Sequence, residues 1–191
     1  WLLARGKRYG PDAELGAWLL EYSRSTGNAA DWADLHSISR PVKTRAIAPT
    51  GTIGILGETT TGIEPIYCTA YQRRYLAGSE WRSRAVVDPT VRRLIGQGAV
   101  CDPDSVEDSI QLADDPGRRI AMQAWVQGFI DHGISSTVNL PRPLNPDEAD
   151  MFGSIMLQYL PQLRGITAYP SGARGLDPLQ PMSYTEAIAL N

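Results

Sequence analysis

A strand, a helix and a second strand follow one another in the last third of the chain, and this order constrains the fold most. Residues 134–140 form an apolar, β-branched run that predicts a strand, and residues 165–169 predict another. Between them, residues 145–148 combine an Asn cap, a proline in the first turn and an acid at the third position, which predicts a helix start. Strands joined in this way lie parallel with a right-handed crossover, so the sequence predicts an α/β fold.

Apolar periodicity and capping residues elsewhere predict four more helices, over residues 12–25, near 88–95, over 117–132 and from Ser183 onward. Runs of β-branched and aromatic residues predict two more strands, at residues 42–48 and 66–76. Gly133 is expected to end the 117–132 helix in the left-handed conformation, and residues 28–41 are expected to be irregular. The face of the 117–132 helix predicted to be buried carries Ala121, Met122, Trp125, Val126, Phe129 and Ile130.

The composition is that of an ordinary globular protein. The chain has 191 residues, a net charge of −3 and 42% hydrophobic residues, which argues against a protein that binds nucleic acid by electrostatic attraction. Its arginine pairs are spread out and are expected to be solvated or ion-paired. No apolar run reaches the length of about 20 residues that a membrane span needs, and no signal peptide is recognisable. We therefore expect a cytoplasmic protein with free thiols at Cys68 and Cys101.

The predicted strand at 42–48 leads directly into a turn rich in Thr and Gly. Pro49 ends the strand, the hydroxyls of Thr50 and Thr52 can cap a helix, Gly51 allows close approach, and Ile53 begins a short helix that we expect to be buried. Unpaired amides and the helix dipole converge there, which is a favourable arrangement for holding a phosphate. The alternative is a capped turn that binds nothing.

Four motifs in a fixed order carry a resemblance to a known family. They are Ala-Pro-Thr-Gly-Thr-Ile-Gly at 48–54, Gly-Ile-Glu-Pro at 62–65, Ser-Thr-Val-Asn-Leu-Pro at 136–141, and Gly-Ile-Thr-Ala-Tyr at 165–169 with Gly-Ala-Arg-Gly at 172–175. Together they resemble the carboxy-terminal part of the catalytic α-chain of ribonucleotide reductase, and their sequences are those typical of its adenosylcobalamin-dependent class. The match covers about residues 40–175. We treat residues 1–191 as one partial barrel domain, with 176–191 as a tail.

The resemblance implies the carboxy-terminal portion of a ten-stranded α/β barrel that reduces the 2′-hydroxyl of ribonucleotides by thiyl-radical chemistry. It also implies that the substrate phosphates are held by Pro49, Thr50, Gly51, Thr52 and Ile53. Glu64 is expected to orient its loop as a structural carboxylate rather than to transfer protons. The late strand carries a single tyrosine, Tyr169, where the class with a separate radical-generating subunit has two. This difference favours adenosylcobalamin as the cofactor, and Tyr169 itself is expected only to pack.

The chain departs from the family in its cysteines. It lacks the Asn-x-Cys-x-Glu loop of the thiyl cysteine, and Cys68 and Cys101 match neither the reducing pair nor the carboxy-terminal pair. We therefore assign no catalytic residue or metal ligand and expect the chain to be inactive by itself. Since it begins with Trp1, we expect a piece of something longer. Its expected partners are a ribonucleotide, the amino-terminal remainder of the reductase (from the same gene or a separate chain) and a reductant such as thioredoxin.

Three other interpretations stay open at this point. The chain could be a phosphate- or nucleotide-binding module without catalysis, or a structural remnant that binds nothing. It could also belong to the reductase class that uses a separate radical-generating subunit.

Overall fold

A computed structural model of the protein describes residues 1–171 and 179–190, apart from the side chain of Ile55. The helices are α1 (Ala13–Ser25), α2 (Asn28–Leu35), α3 (Gly51–Leu56), α4 (Pro89–Gly96), α5 (Pro116–Gln127), α6 (Pro146–Tyr159) and α7 (Tyr184–Ala189). The strands are β1 (Ala70–Ala77), β2 (Glu80–Val87), β3 (Thr137–Leu140), β4 (Thr167–Pro170) and β5 (Leu179–Met182). The Gly-Ala-Arg-Gly motif at 172–175 lies outside the described residues.

The predicted strand–helix–strand unit is present as β3, α6 and β4. The two strands are parallel, with Thr137 opposite Thr167, and α6 begins with the predicted capping box between Asn145 and Glu148. The apolar side of α6 packs with α5 and β3 around the fully buried Ile120. Burial of this shared face holds the two helices against the parallel pair.

The strand predicted at 42–48 is reduced to one parallel bridge between Ile47 and Ile134. The amide of Ile47 donates to the carbonyl of Gly133 at 3.1 Å, and the amide of Ser135 donates to the carbonyl of Ile47 at 2.8 Å. Residues 41–46 make no strand pairing within the described part of the chain. The predicted strand is therefore present only at Ile47, and its predicted length is wrong.

A second, antiparallel sheet has the order β2-β1-β5. The strand predicted at 66–76 is confirmed in part by β1, whereas β2 and β5 were not predicted. Ala77 pairs with Glu80, so a two-residue turn joins β1 and β2, and Gly78 provides the positive φ of +67° that this turn needs. The predicted helix from Ser183 is confirmed as α7, and Ala187 is completely buried against this sheet. Residues 179–190 are thus packed rather than loose.

Two other predictions about helices were wrong. Residues 28–35 form α2, not an irregular segment. Helix α5 ends at Gln127 rather than near 132, because the Gln127 side-chain amide donates to the carbonyls of Ile130 and His132 and holds the following residues in a loop. Gly133 does not have a positive φ. On the predicted apolar face of α5, Met122 and Val126 are buried, whereas Trp125 is only half-buried.

The α/β class is confirmed, but the ten-stranded barrel is not. Across residues 1–171 and 179–190, the strands form one sheet of three and one of two, without a closed barrel. None of the helices in these ranges combines the length and apolar character that crossing a bilayer requires.

The first residues of the chain are attached to the body by Glu107. Its carboxylate accepts hydrogen bonds from the Arg8 and Arg118 side chains and from the amide of Tyr9, and Arg118 also donates to the carbonyl of Tyr9 at 2.7 Å. The hydrogen bond from Arg118 is the main reason why the pKa of Glu107 falls from 4.5 to about 2. Ionised Glu107 therefore stabilises the folded state.

This linkage predicts a specific loss of stability in acid. Because the pKa of Glu107 is lower in the folded chain, its contribution to the free energy of unfolding is complete above about pH 4.5 and is lost as the pH falls toward 2. Urea unfolding of the parent and of Glu107→Gln should show a difference in stability that is largest at neutral pH and shrinks over this range. The control is Glu21→Gln, which removes an exposed acid on α1. A difference that does not depend on pH would contradict the assignment.

Candidate functional site

The Thr/Gly turn lies at the surface, directly after the bridge at Ile47. The predicted short helix is present as α3, but it begins at Gly51 rather than at Ile53, and Thr50 before it has a left-handed φ of +45°. The predicted burial of this helix is wrong, because Ile53 is 69% exposed and Leu56 is 80% exposed. Pro49, Thr50, Gly51 and Thr52 are exposed as well. The turn is therefore accessible to a ligand.

The amides of this turn are available for hydrogen bonding. The amide of Gly54 donates to the carbonyl of Thr50 at 2.8 Å, which closes the first helical turn. Among residues 1–171 and 179–190, no acceptor is bonded to the amides of Gly51, Thr52 or Ile53. A Cβ placed on Gly51 would meet no atom within 4 Å, so open space lies beside this glycine. The arrangement can accept an anion or another hydrogen-bond acceptor.

Two glycines set the position of this turn against the second motif. A Cβ on the buried Gly54 would lie 2.7 Å from Cγ2 of Thr61, so α3 rests directly on the loop at 59–61. Gly62 has a φ of +52°, and a Cβ there would lie 3.2 Å from Cγ2 of Ile47. The two motifs, which the sequence places only near each other, are packed together because neither glycine carries a side chain.

Glu64 ties the second motif to the parallel strands. Its carboxylate accepts a hydrogen bond from the amide of Thr137 at 2.6 Å and forms an ion pair with Arg119, which also donates to the carbonyl of Thr137 at 2.7 Å. Arg119 is 1% exposed and Glu64 is 22% exposed. These contacts are those of a carboxylate that orients its loop, which confirms the structural role predicted for Glu64.

Tyr9 supports the same loop from the other side. Its hydroxyl donates to the carbonyl of Ile63 at 2.9 Å, and its ring lies 5.4 Å from the Arg119 guanidinium. Burial raises the pKa of Tyr9 to about 12, so the hydroxyl stays protonated as a donor. Sequence reasoning missed both Tyr9 and Arg119 at this site. The Arg118–Arg119 pair, expected to be solvated or ion-paired, is ion-paired, but nothing in the sequence identified Glu64 as the partner of Arg119.

A cavity of about 690 Å³ reaches the second motif but not the first. Its wall includes Gly62, Ile63, Glu64 and Pro65, together with apolar side chains from α1, α4 and α5. Residues 49–53 do not contribute to it in the described part of the chain. The phosphate turn predicted from the sequence is therefore an open surface site, separate from this cavity.

The two cysteines lie in different environments. Cys68 is buried, and desolvation raises the pKa of its thiol, which disfavours the reactive thiolate. Cys101 is exposed, and both thiols are free, as predicted. The described residues include no group of three or more His, Cys, Asp or Glu side chains that could hold a metal ion.

We predict that neutralising Glu64 destabilises the protein strongly. Glu64→Gln leaves the buried Arg119 charge without a carboxylate, and breaking a buried pair in this way costs about 3–5 kcal/mol in the free energy of unfolding. Glu21→Gln, which breaks an exposed ion pair with Arg24, should have a far smaller effect. Both are measured by urea denaturation.

A double variant separates the lost ion pair from lost packing. Adding Arg119→Met to Glu64→Gln removes the stranded charge, so it should recover part of the lost stability. If Glu64→Gln alone lowered the free energy of unfolding by less than about 1 kcal/mol, the proposed stabilising link between the second motif and β3 would be refuted.

Comparisons with known proteins identify the family of the chain. The family described as "Ribonucleotide reductase, barrel domain" matches residues 29–169, which is more than half of the chain. The vitamin B12-dependent ribonucleoside-diphosphate reductase of Mycobacterium tuberculosis (strain CDC 1551 / Oshkosh) is 29% identical over 152 residues, covering 71% of this chain and 22% of the relative. The enzyme of the same name from Thermoplasma acidophilum is 26% identical over 128 residues, covering 58% of this chain and 17% of the relative.

The fold has a counterpart among solved structures. The crystal structure of a B12-dependent (class II) ribonucleotide reductase superimposes with a TM-score of 0.67 and 15% sequence identity, covering 93% of this chain and 26% of that one. The chain thus spans about a sixth to a quarter of these proteins that it matches. It belongs to the ribonucleotide reductase family as part of the barrel domain, and these relatives are vitamin B12-dependent members.

Proposed function

We propose that this chain supplies the substrate-phosphate-binding part of a ribonucleotide reductase barrel, with the phosphates held at Pro49, Thr50, Gly51, Thr52 and Ile53. The observation that carries this proposal is the group of amides of the exposed residues 51–53 at the start of α3, which lack acceptors among the described residues. In such a site the backbone amides bind the anion, and the helix dipole favours negative charge.

The threonine hydroxyls have a secondary role in this proposal. Neither Thr50 nor Thr52 uses its hydroxyl in a hydrogen bond within residues 1–171 and 179–190, so both are available to a ligand oxygen. A neutral hydroxyl adds about 1 kcal/mol to binding, less than a charged donor does. Gly51 contributes by the absence of a side chain, which lets the phosphate reach the amides.

The reaction that we propose for the assembled enzyme is the conversion of ribonucleotides to deoxyribonucleotides by thiyl-radical chemistry. The radical cysteine and the two cysteines that become a disulfide would come from outside these 191 residues. The raised pKa and burial of Cys68 support this division. We therefore propose that the chain by itself binds substrate phosphate but does not reduce the sugar.

The names of the relatives support adenosylcobalamin as the cofactor of the assembled enzyme. The described residues of this chain do not themselves fit that cofactor. Their cavity of about 690 Å³ is of the size that holds drug-sized ligands, and a corrinoid is larger. We propose that the cofactor binds to the remainder of the reductase, which with a reductant such as thioredoxin is the expected partner.

One observation favours a second candidate, a phosphate-binding module without catalysis. The exposed amides of the turn need no cysteine to bind an anion, and neither Cys68 nor Cys101 adjoins the turn in sequence. The two candidates differ in one assay. When the chain is mixed with a polypeptide that carries the Asn-x-Cys-x-Glu loop, adenosylcobalamin and a reductant, the reductase proposal requires deoxyribonucleotide to form, and the module proposal requires none.

Phosphate binding at the turn is tested by titrating the chain with a nucleoside diphosphate and following backbone amide shifts by NMR. We expect saturable shifts at residues 51–53. Gly51→Val should abolish them because a branched side chain would fill the open space beside Gly51 through which the phosphate approaches, and Thr52→Ala should weaken binding by about 1 kcal/mol.

The matched control is Gly153→Val, which adds the same side chain at a helical glycine in open space on α6. It should leave the affinity unchanged. An absence of shifts at residues 51–53 in the parent chain would eliminate the phosphate site.

A further inference from the structure

The β1–β2 hairpin brings together arginines that are separated in the sequence. Arg73 lies directly opposite Arg84, and Tyr75 lies opposite Arg82 in the next pair on the same side of the hairpin. Because residues two apart on a strand share a face, Arg73, Arg82 and Arg84 form one cluster, here called the arginine face. The sequence alone suggested dispersed arginines, whereas the register makes them neighbours.

The charge of the arginine face is largely uncompensated. Within the described part of the chain, its one ion pair joins Arg82 to the exposed Glu80 at 3.5 Å. Arg84 lies over the ring of Tyr75 at 6.0 Å, and neither Arg73 nor Arg84 contacts a carboxylate there. Like charges directly opposite one another destabilise a strand pair, so an anionic partner would relieve a repulsion already present in the fold.

The same hairpin has a free edge. In the order β2-β1-β5, β2 is an edge strand of the described sheet. Its residues 80–84 are all exposed and contain no proline. An edge strand of this kind presents unpaired amides and carbonyls that another extended chain can use.

We propose that the β2 edge binds an extended acidic segment of a partner polypeptide by strand addition. Acidic side chains two residues apart would lie opposite Arg82 and Arg84, where guanidinium groups bind carboxylates in a bidentate way. An apolar side chain between them would lie on the other face beside Trp81, which is 61% exposed. The recognised pattern is therefore acidic–apolar–acidic.

The geometry favours this occupant over two others. A second copy of the chain would bring another row of arginines to the same edge, and the two rows would repel each other. A nucleic acid strand could bind the arginines through its phosphates, but it cannot pair with the alternating amides and carbonyls of the edge. An acidic peptide satisfies both the charge and the backbone. This inference does not depend on the proposed reductase function.

The test uses the full chain and a fluorescein-labelled peptide of alternating Glu and Val, blocked at both ends, with binding measured by fluorescence anisotropy at low salt. We expect saturable binding that weakens as salt is added. The double variant R82Q/R84Q should weaken it at least about tenfold. R24Q/R92Q, which removes two exposed arginines from α1 and α4, should change it less than about twofold.

Two further probes separate strand addition from simple charge attraction, and both use the parent chain. A peptide with three consecutive central amides N-methylated keeps its charge but loses its backbone donors, and it should bind at least about tenfold more weakly. An oligothymidylate of equal charge should bind more weakly than the Glu-Val peptide. Equal binding of the methylated peptide, tighter binding of the oligothymidylate or no loss in R82Q/R84Q would each overturn the proposal.

Discussion

The buried contact between Glu64 and Arg119 is the interaction on which the arrangement of the site depends. The Glu64 carboxylate also accepts a hydrogen bond from the amide of Thr137, and the Arg119 guanidinium donates one to the carbonyl of Thr137. One ion pair therefore joins the second motif, helix α5 and the start of β3. A charge as deeply buried as that of Arg119 is tolerated only when it is paired and hydrogen-bonded. The loop at 62–65 is therefore fixed relative to the parallel strands. The position of this loop in turn sets the position of the Thr/Gly turn that packs against it.

The Thr/Gly turn rests on that loop because two glycines let the backbone lie directly against neighbouring side chains. Gly54 lets α3 lie on Thr61, and Gly62 lets the loop lie on Ile47. The turn itself remains at the surface, and the amides of residues 51–53 have no acceptor among the described residues. This arrangement combines a rigid support with an exposed binding edge, which is how loops on a stable scaffold commonly carry function.

The antiparallel sheet gives the molecule a second surface of a different kind. The Ile47 bridge, β3 and β4 supply the parallel part of the barrel domain, whereas the β1–β2 hairpin projects exposed arginines from a free edge. The turn would bind a small anion with backbone amides. The hairpin edge would bind an extended chain with both backbone and arginines. The two surfaces thus differ in the size and shape of the partner they suit.

Local chemistry in the sequence determined the elements whose signals are local. The capping box at Asn145, the cap at Asp12 and the strand–helix–strand order fixed α6, α1 and the parallel pairing of β3 and β4. The amino-acid sequences and the order of the four motifs identified the family. Pairing and burial depend on residues far apart in the chain, so only the tertiary structure decided them. It shortened the strand before Pro49 to one bridge, left α3 exposed, placed Arg119 against Glu64 and set Arg73 beside Arg84.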